Sequence, residues 1–193
     1  MMLSVQFILL SVISLALAGR NNYTEKIFQM HNEYRKQILE CKVDGQPSAK
    51  RMPPLIWDEK LARNAEAVTK YCAVMDTIRR FNSYRRNIGI GGTVEIVVQK
   101  WFGEHIWYNF KDHKCSEMHQ CKQYLQMVFE NTTHIGCGVT KCPNRRENTT
   151  SLLVVCNYGP GATFHVRPYE ANNVNEVCSV KGTTGAVHLK HGQ

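Results

Sequence analysis

Apolar positions recur at three- and four-residue spacing over residues 24–40, where Ile27, Met30, His31, Tyr34 and Ile38 fall on one side, and the pattern predicts an amphipathic helix that Thr24 is placed to cap. Gly45 with Pro47, Pro53 and Pro54 makes residues 45–54 a loop. A second helix is predicted from Asp58, as N-cap, to Cys72, with Leu61, Ala62, Ala65 and Val68 along its buried side. Gly89, Gly91 and Gly92 then break the chain before a third helix over 93–105, which buries Val94, Val97, Val98 and Trp101. A short helix over 120–129 leads into two β-rich runs, 135–141 and 152–158, and a brief strand is predicted at 163–167. Helices first and a strand cluster after them predict an α+β fold in which a sheet lies between helical layers.

The ends of the chain read differently. Residues 1–18 carry no charged side chain and hold the apolar run Val5 to Leu17, closing on Ala16-Leu17-Ala18-Gly19. That is the form of a secretory signal with a small-x-small cleavage site, and the run is short of the roughly 20 apolar residues a membrane span needs. The mature chain is expected to begin near Gly19 or Arg20 and to form one domain over 19–178, followed by a polar, disordered tail over 179–193. No repeat or Gly/Pro/Ser-rich linker divides it.

Export changes how the cysteines read. All eight (Cys41, Cys72, Cys115, Cys121, Cys137, Cys142, Cys156, Cys178) lie in the mature part, and an even count in an exported chain implies disulfides whose pairing sequence alone does not choose. Asn22, Asn131 and Asn148 each open an Asn-x-Thr sequon for glycosylation. The net charge of +8 includes a dense basic stretch, Arg79 to Arg86, which reads as a solvated loop able to attract anionic surfaces. Nucleic acid is not an expected partner for an exported chain.

The ordered motifs His31-Asn32-Glu33-Tyr34-Arg35, Met52-Pro53-Pro54-Leu55-Ile56-Trp57-Asp58, Tyr124 to Phe129 followed by Ile135-Gly136-Cys137-Gly138-Val139, and Val154-Val155-Cys156-Asn157-Tyr158-Gly159-Pro160-Gly161 resemble those of the CAP superfamily. That group includes cysteine-rich secretory proteins, venom allergens and pathogenesis-related proteins. The likeness runs from residue 24 to about 168 and is strongest to the venom-allergen-like proteins exported by parasitic worms. It implies a three-layer α-β-α sandwich with disulfides Cys72–Cys142, Cys115–Cys121 and Cys137–Cys156, and with them Cys41–Cys178.

The resemblance also implies a cleft with two His and two Glu. At the matching positions this chain has Asp76, Arg86, Glu104 and Gln123, so only Glu104 is kept. A permanent guanidinium charge and a non-titrating amide suit neither a divalent metal nor acid–base chemistry. No metal, no cofactor and no catalysis are expected there, and Arg86 is expected to pair with Glu104 or Asp76. His113, Cys115, His119 and Cys121 have spacing that suits a metal, but in an oxidising compartment the Cys115–Cys121 disulfide is the expected outcome. No Gly-x-Ser-x-Gly elbow supports a serine hydrolase.

Phe102, Trp107 and Phe110, with Tyr108 and Trp101 beside them, resemble the aromatic motif found in a loop of sterol-binding CAP proteins. Rings on a loop offer flat apolar surface to a rigid sterol. The resemblance further implies an apolar cavity between helices for fatty acids, with Ile27, Met30, Tyr34 and Ile38 as one wall. The expected function is therefore that of an extracellular, non-enzymatic binder of small lipids, sterol or fatty acid, acting at a host interface. The alternative is an effector that binds a host extracellular protein through its basic stretch or glycans.

Overall fold

The computed structural model describes residues 20–72, 85–144 and 148–179. The signal segment 1–18, Asp76, residues 79–84 of the basic stretch and the tail beyond Ser179 lie outside the described residues.

Helix α1 spans Asn22–Leu39. Its N-cap is Asn21 and not Thr24: the Asn21 carboxamide accepts the Thr24 backbone N–H at 3.0 Å, and the Thr24 hydroxyl turns back to Asn21 O at 3.1 Å. Thr24 is thus already helical, and the earlier of two possible caps wins because Asn21 holds the extended backbone a cap requires. Strand β1 (Ile56–Trp57) leads into α2 (Glu59–Thr69), capped as expected by Asp58, whose Oδ1 accepts the N–H groups of Lys60 and Leu61.

Strand β2 (Arg85–Gly91) then precedes α3 (Val94–Gly103), a 3₁₀ turn (Glu104–Trp107), the small hairpin β3 (Tyr108–Asn109) and β4 (Lys114–Cys115), the short helix α4 (Lys122–Met127), and the long strands β5 (His134–Asn144) and β6 (Thr149–Gly159). Two expectations are corrected here. The glycines at 89 and 91 belong to a strand paired with β6 and are not a break. A Cβ on Gly89 would lie 2.6 Å from Val97 Cγ1 and 2.8 Å from Trp101 Nε1, so glycine is what lets α3 lie against this strand. Residues 163–167 form turns and bends: their carbonyls and side chains bond to His113, Phe110 and Lys111 instead of to a neighbouring strand.

The sheet runs β1-β5-β6-β2, parallel between β1 and β5 and antiparallel elsewhere. Helix α2 covers one face, with Ala65 and Val68 packed on Val155. Helices α1, α3 and α4 cover the other, over Ile135, Cys137, Val154, Cys156 and Tyr158. Both faces of β6 are therefore covered, which is why residues 152–158 form an unbroken buried run. This is the three-layer α-β-α sandwich.

The motif residues of α1 tie the layers together. His31 is fully buried, with Nδ1 2.7 Å from Ile27 O and Nε2 2.8 Å from the Tyr158 hydroxyl. Asn32 clamps Leu55, its Oδ1 accepting the Leu55 N–H at 2.7 Å. The Arg35 guanidinium, 1% exposed, donates to the carbonyls of Pro53, Met127, Phe129 and Thr132. All eight cysteines are paired, as Cys41–Cys178, Cys72–Cys142, Cys115–Cys121 and Cys137–Cys156, the same pairs the resemblance implies.

Candidate functional site

The 3₁₀ turn after α3 carries the aromatic segment across the end of the sandwich, and the Cys115–Cys121 disulfide closes the hairpin that follows. Buried Gln46 pins this segment, its Nε2 donating to His105 O at 3.0 Å and Tyr108 O at 2.9 Å. The rings are consequently held inward. Phe102 stacks on Tyr34 at 3.9 Å, Tyr108 donates to or accepts from His113 Nδ1 at 2.7 Å, and Phe110 packs on Tyr169 at 4.7 Å.

The expectation of four rings displayed on a loop is corrected: Phe102, Tyr108 and Phe110 are core residues, and of the four only Trp107 stands at the surface, 40% exposed and stacked on His119 at 3.7 Å. The ring faces are apolar area better buried against one another than left wet, and Gln46 supplies the hydrogen bonds that let the backbone turn inward with them. Trp107, Tyr108 and Phe110 nevertheless line a cleft of about 400 Å³, whose other wall is the segment Val174–Val177. Ile106 and Val177 flank it as exposed aliphatic side chains. Phe102 is not part of its lining.

Of the four positions expected to form a degenerate cleft, Asp76 lies outside the described residues, and the other three are only partly brought together. Glu104 and Gln123 adjoin: the Glu104 carboxylate accepts the backbone N–H of Gln123 at 2.9 Å and of Tyr124 at 3.0 Å, closing the first turn of α4. Burial pushes its carboxyl up to about 7 against the opposing pull of those two N–H groups. The Gln123 amide donates to Ile88 O at 3.2 Å. Arg86 turns elsewhere. Its Nε donates at 2.8 Å to Asn157, its partner across β2 and β6, and Asn157 in turn donates to Leu61 O of α2. Asn87, next along the strand, reaches the opposite face and donates to Gln123 O at 3.0 Å.

Alternation along β2 turns Arg86 to the Asn157 side of the sheet, while Glu104 bonds to the start of α4; the other expected partner of Arg86, Asp76, lies outside the described residues. Among the described cleft positions, one engaged carboxylate and one amide do not make a donor set for a divalent transition metal. No group of three or more His, Cys, Asp or Glu side chains converges with metal-holding geometry among the described residues. Cys115 and Cys121 are joined to each other, and His113 bonds to Tyr108 and Phe164 O.

Of the helix wall expected of Ile27, Met30, Tyr34 and Ile38, Ile27 and Ile38 are buried, and Met30 and Tyr34 pack partly buried against the same core. A cleft opens beside α1 at its first turn. It measures about 480 Å³ and is lined by Asn22, Tyr23 and Lys26 facing Val94 and Glu95 of α3, with Lys141, Thr150 and Leu152 of the sheet. Sequence periodicity missed it because its residues are the polar and terminal positions that a search for apolar faces passes over. Among the described residues no helix is long and apolar enough to cross a membrane.

Comparison with known proteins gives a consistent set of relatives. A model of the cysteine-rich secretory protein family, CAP, matches residues 28–158. GLIPR1-like protein 1 of Mus musculus is 32% identical over 172 residues, covering 82% of this chain and 69% of that protein. Venom allergen 5 of Vespula maculifrons is 34% identical over 157 residues, covering 72% of this chain and 76% of the relative. Among solved structures, venom allergen-like protein 4 of Schistosoma mansoni superposes with a TM-score of 0.73 at 33% identity, over 81% of this chain and 99% of that one.

Proposed function

The chain belongs to the cysteine-rich secretory protein (CAP) family, and from that membership we propose that it is an exported, non-enzymatic protein that binds a small lipid, a sterol or a fatty acid, at the aromatic cleft. The observation that carries the reading is the cleft of about 400 Å³ between Trp107-Tyr108 and Val174–Val177, rimmed by exposed Ile106 and Val177. Its volume falls within the range of small-molecule sites, and a lipid there would cover apolar surface that water now meets.

The site is narrower than the four-ring motif. Trp107 is the contact a ligand reaches first, Tyr108 and Phe110 form the floor, and Phe102 supports the floor through Tyr124, 5.7 Å from its ring. Absence of catalysis is supported by the Glu104–Gln123 arrangement, in which the carboxylate closes a helix turn and the amide has no proton to transfer. Export is supported by four disulfides, which persist in oxidising compartments.

The test is titration of the purified protein with cholesterol and, separately, with palmitate, using wild type and Trp107→Ala. Saturable binding of one class that weakens about tenfold in Trp107→Ala, equivalent to about 1.4 kcal/mol, is the expected result. Folding should be unchanged, since Trp107 is a surface residue. Absence of binding by either lipid would overturn the reading and favour a protein-binding effector.

A further inference from the structure

The cleft at the first turn of α1 has walls unlike those of a lipid site. Val94 and Leu152 form a small apolar floor, but the sides are Lys26, Glu95 and Lys141, a mixture of donors and an acceptor suited to a neutral ligand rich in hydroxyl and amide groups. The Tyr23 ring stands 41% exposed at the rim, a flat face on which a sugar ring can lie. Asn22 itself lines this cleft and opens the sequon Asn22-Tyr23-Thr24. On the opposite wall is Thr150, which closes the sequon that begins at Asn148. Two of the chain's three sequons thus meet at one cleft, whereas Asn131 lies in the turn between α4 and β5.

The order of events is also written in the geometry. In the folded chain the Thr24 hydroxyl is buried and engaged with Asn21, so the sequon is open to a glycosylating enzyme only before α1 forms. Any sugar on Asn22 is then present while α1 and α3 come together. Asn22 is the first residue of α1, and the helix holds its side chain toward the cleft it lines.

We propose that this cleft holds the first sugars of an N-linked glycan carried on Asn22, with the inner ring against Tyr23 and its amide and hydroxyl groups bonded to Lys26, Glu95 and Lys141. The chain's own modification, and not a lipid, occupies the space between α1 and α3. This rests on the export reading, because N-glycans are attached only on the secretory route.

The test is site-resolved release of glycans from the natively folded, secreted protein by an amidase that cleaves the Asn–sugar bond, followed by peptide mass mapping of Asn22 and Asn131. An enclosed glycan is cut only from its open form, so release at Asn22 is expected to be about tenfold slower than at Asn131, the factor that about 1.4 kcal/mol of contact gives. After denaturation the two rates should converge. Tyr23→Ala keeps the sequon and is expected to bring native release at Asn22 up toward that at Asn131; Lys141→Ala, on the opposite wall, should act in the same direction. Equal native rates at the two sites, or a slow rate at Asn22 that neither variant raises, would overturn the proposal. An unmodified Asn22 beside an occupied Asn131 would overturn it alone, and absence of glycan from all three sequons would overturn the export reading with it.

Discussion

Arg35 and His31 show how single polar side chains carry a buried framework. The Arg35 guanidinium serves carbonyls from the loop before β1, from the end of α4 and from the turn before β5, so truncation strands several buried acceptors at once and leaves a void. Burial lowers its pKa only to about 10, so it stays charged at any physiological pH. Arg35→Ala is expected to destabilise by about 3–5 kcal/mol, read as a fall in the urea midpoint with an unchanged slope. His31 answers to pH. Desolvation lowers its pKa to about 4, outweighing the bond to Ile27 O, with the Arg35 charge adding to the depression. Between pH 6.5 and 4 the unfolded chain binds the proton that the folded chain refuses, so this contribution is complete above 6.5 and is lost as pH falls toward 4, by about 3 kcal/mol in all. Glu104 works in the opposite sense: its raised carboxyl favours the folded state at low pH, and that part fades as pH rises through about 7. His31→Leu should therefore flatten the acid limb of a melting-temperature profile, and Glu104→Gln the limb near neutrality. A profile unaltered by either change would count against these assignments.

Whole elements depend on where a side chain is missing. Helix α2 lies on β5 because Gly136 and Gly138 present no Cβ: one on Gly136 would fall 2.2 Å from Ala62 N and 2.5 Å from Asp58 O, and one on Gly138 would fall 2.4 Å from Glu66 Cα. These obstacles are backbone atoms and cannot swing aside. Gly136→Ala or Gly138→Ala is expected to lift α2 from the sheet and cost about 2–4 kcal/mol, whereas Gly92→Ala, with nothing within 4 Å of the added carbon, should leave the melting temperature unchanged on this account. Differential scanning calorimetry of the three variants separates the cases. The same logic made β2 hard to read: its glycines look like a break until the indole of Trp101 is seen lying against Gly89. The aromatic segment was misjudged for the converse reason, since spacing identifies ring positions but not which way Gln46 will draw the backbone that bears them.

At the scale of the molecule, the disulfides divide by the chain they span. Cys41–Cys178 closes 137 residues and Cys115–Cys121 only 6, so by loop entropy the first contributes about 5 kcal/mol and the second about 2. Replacing Cys41 and Cys178 together by Ser should lower the urea midpoint more than replacing Cys115 and Cys121; the reverse order would mean that the hairpin carries the aromatic end of the fold. Much of this architecture was legible in the chain itself. Apolar spacing gave α1, α2, α3 and the two long strands, Asp58 announced its cap, and ordered motifs pointed to the family and its α-β-α sandwich, because these features depend on residues near one another in sequence or on local hydrogen-bonding chemistry. What only tertiary structure decided were relations between distant segments: that alternation on β2 turns Arg86 to Asn157, that Phe102, Tyr108 and Phe110 face inward while Trp107 faces out, and that Asn22 and Thr150 share one cleft. Each depends on which face of a strand or helix meets which neighbour, a matter of packing that periodicity along a single chain does not encode.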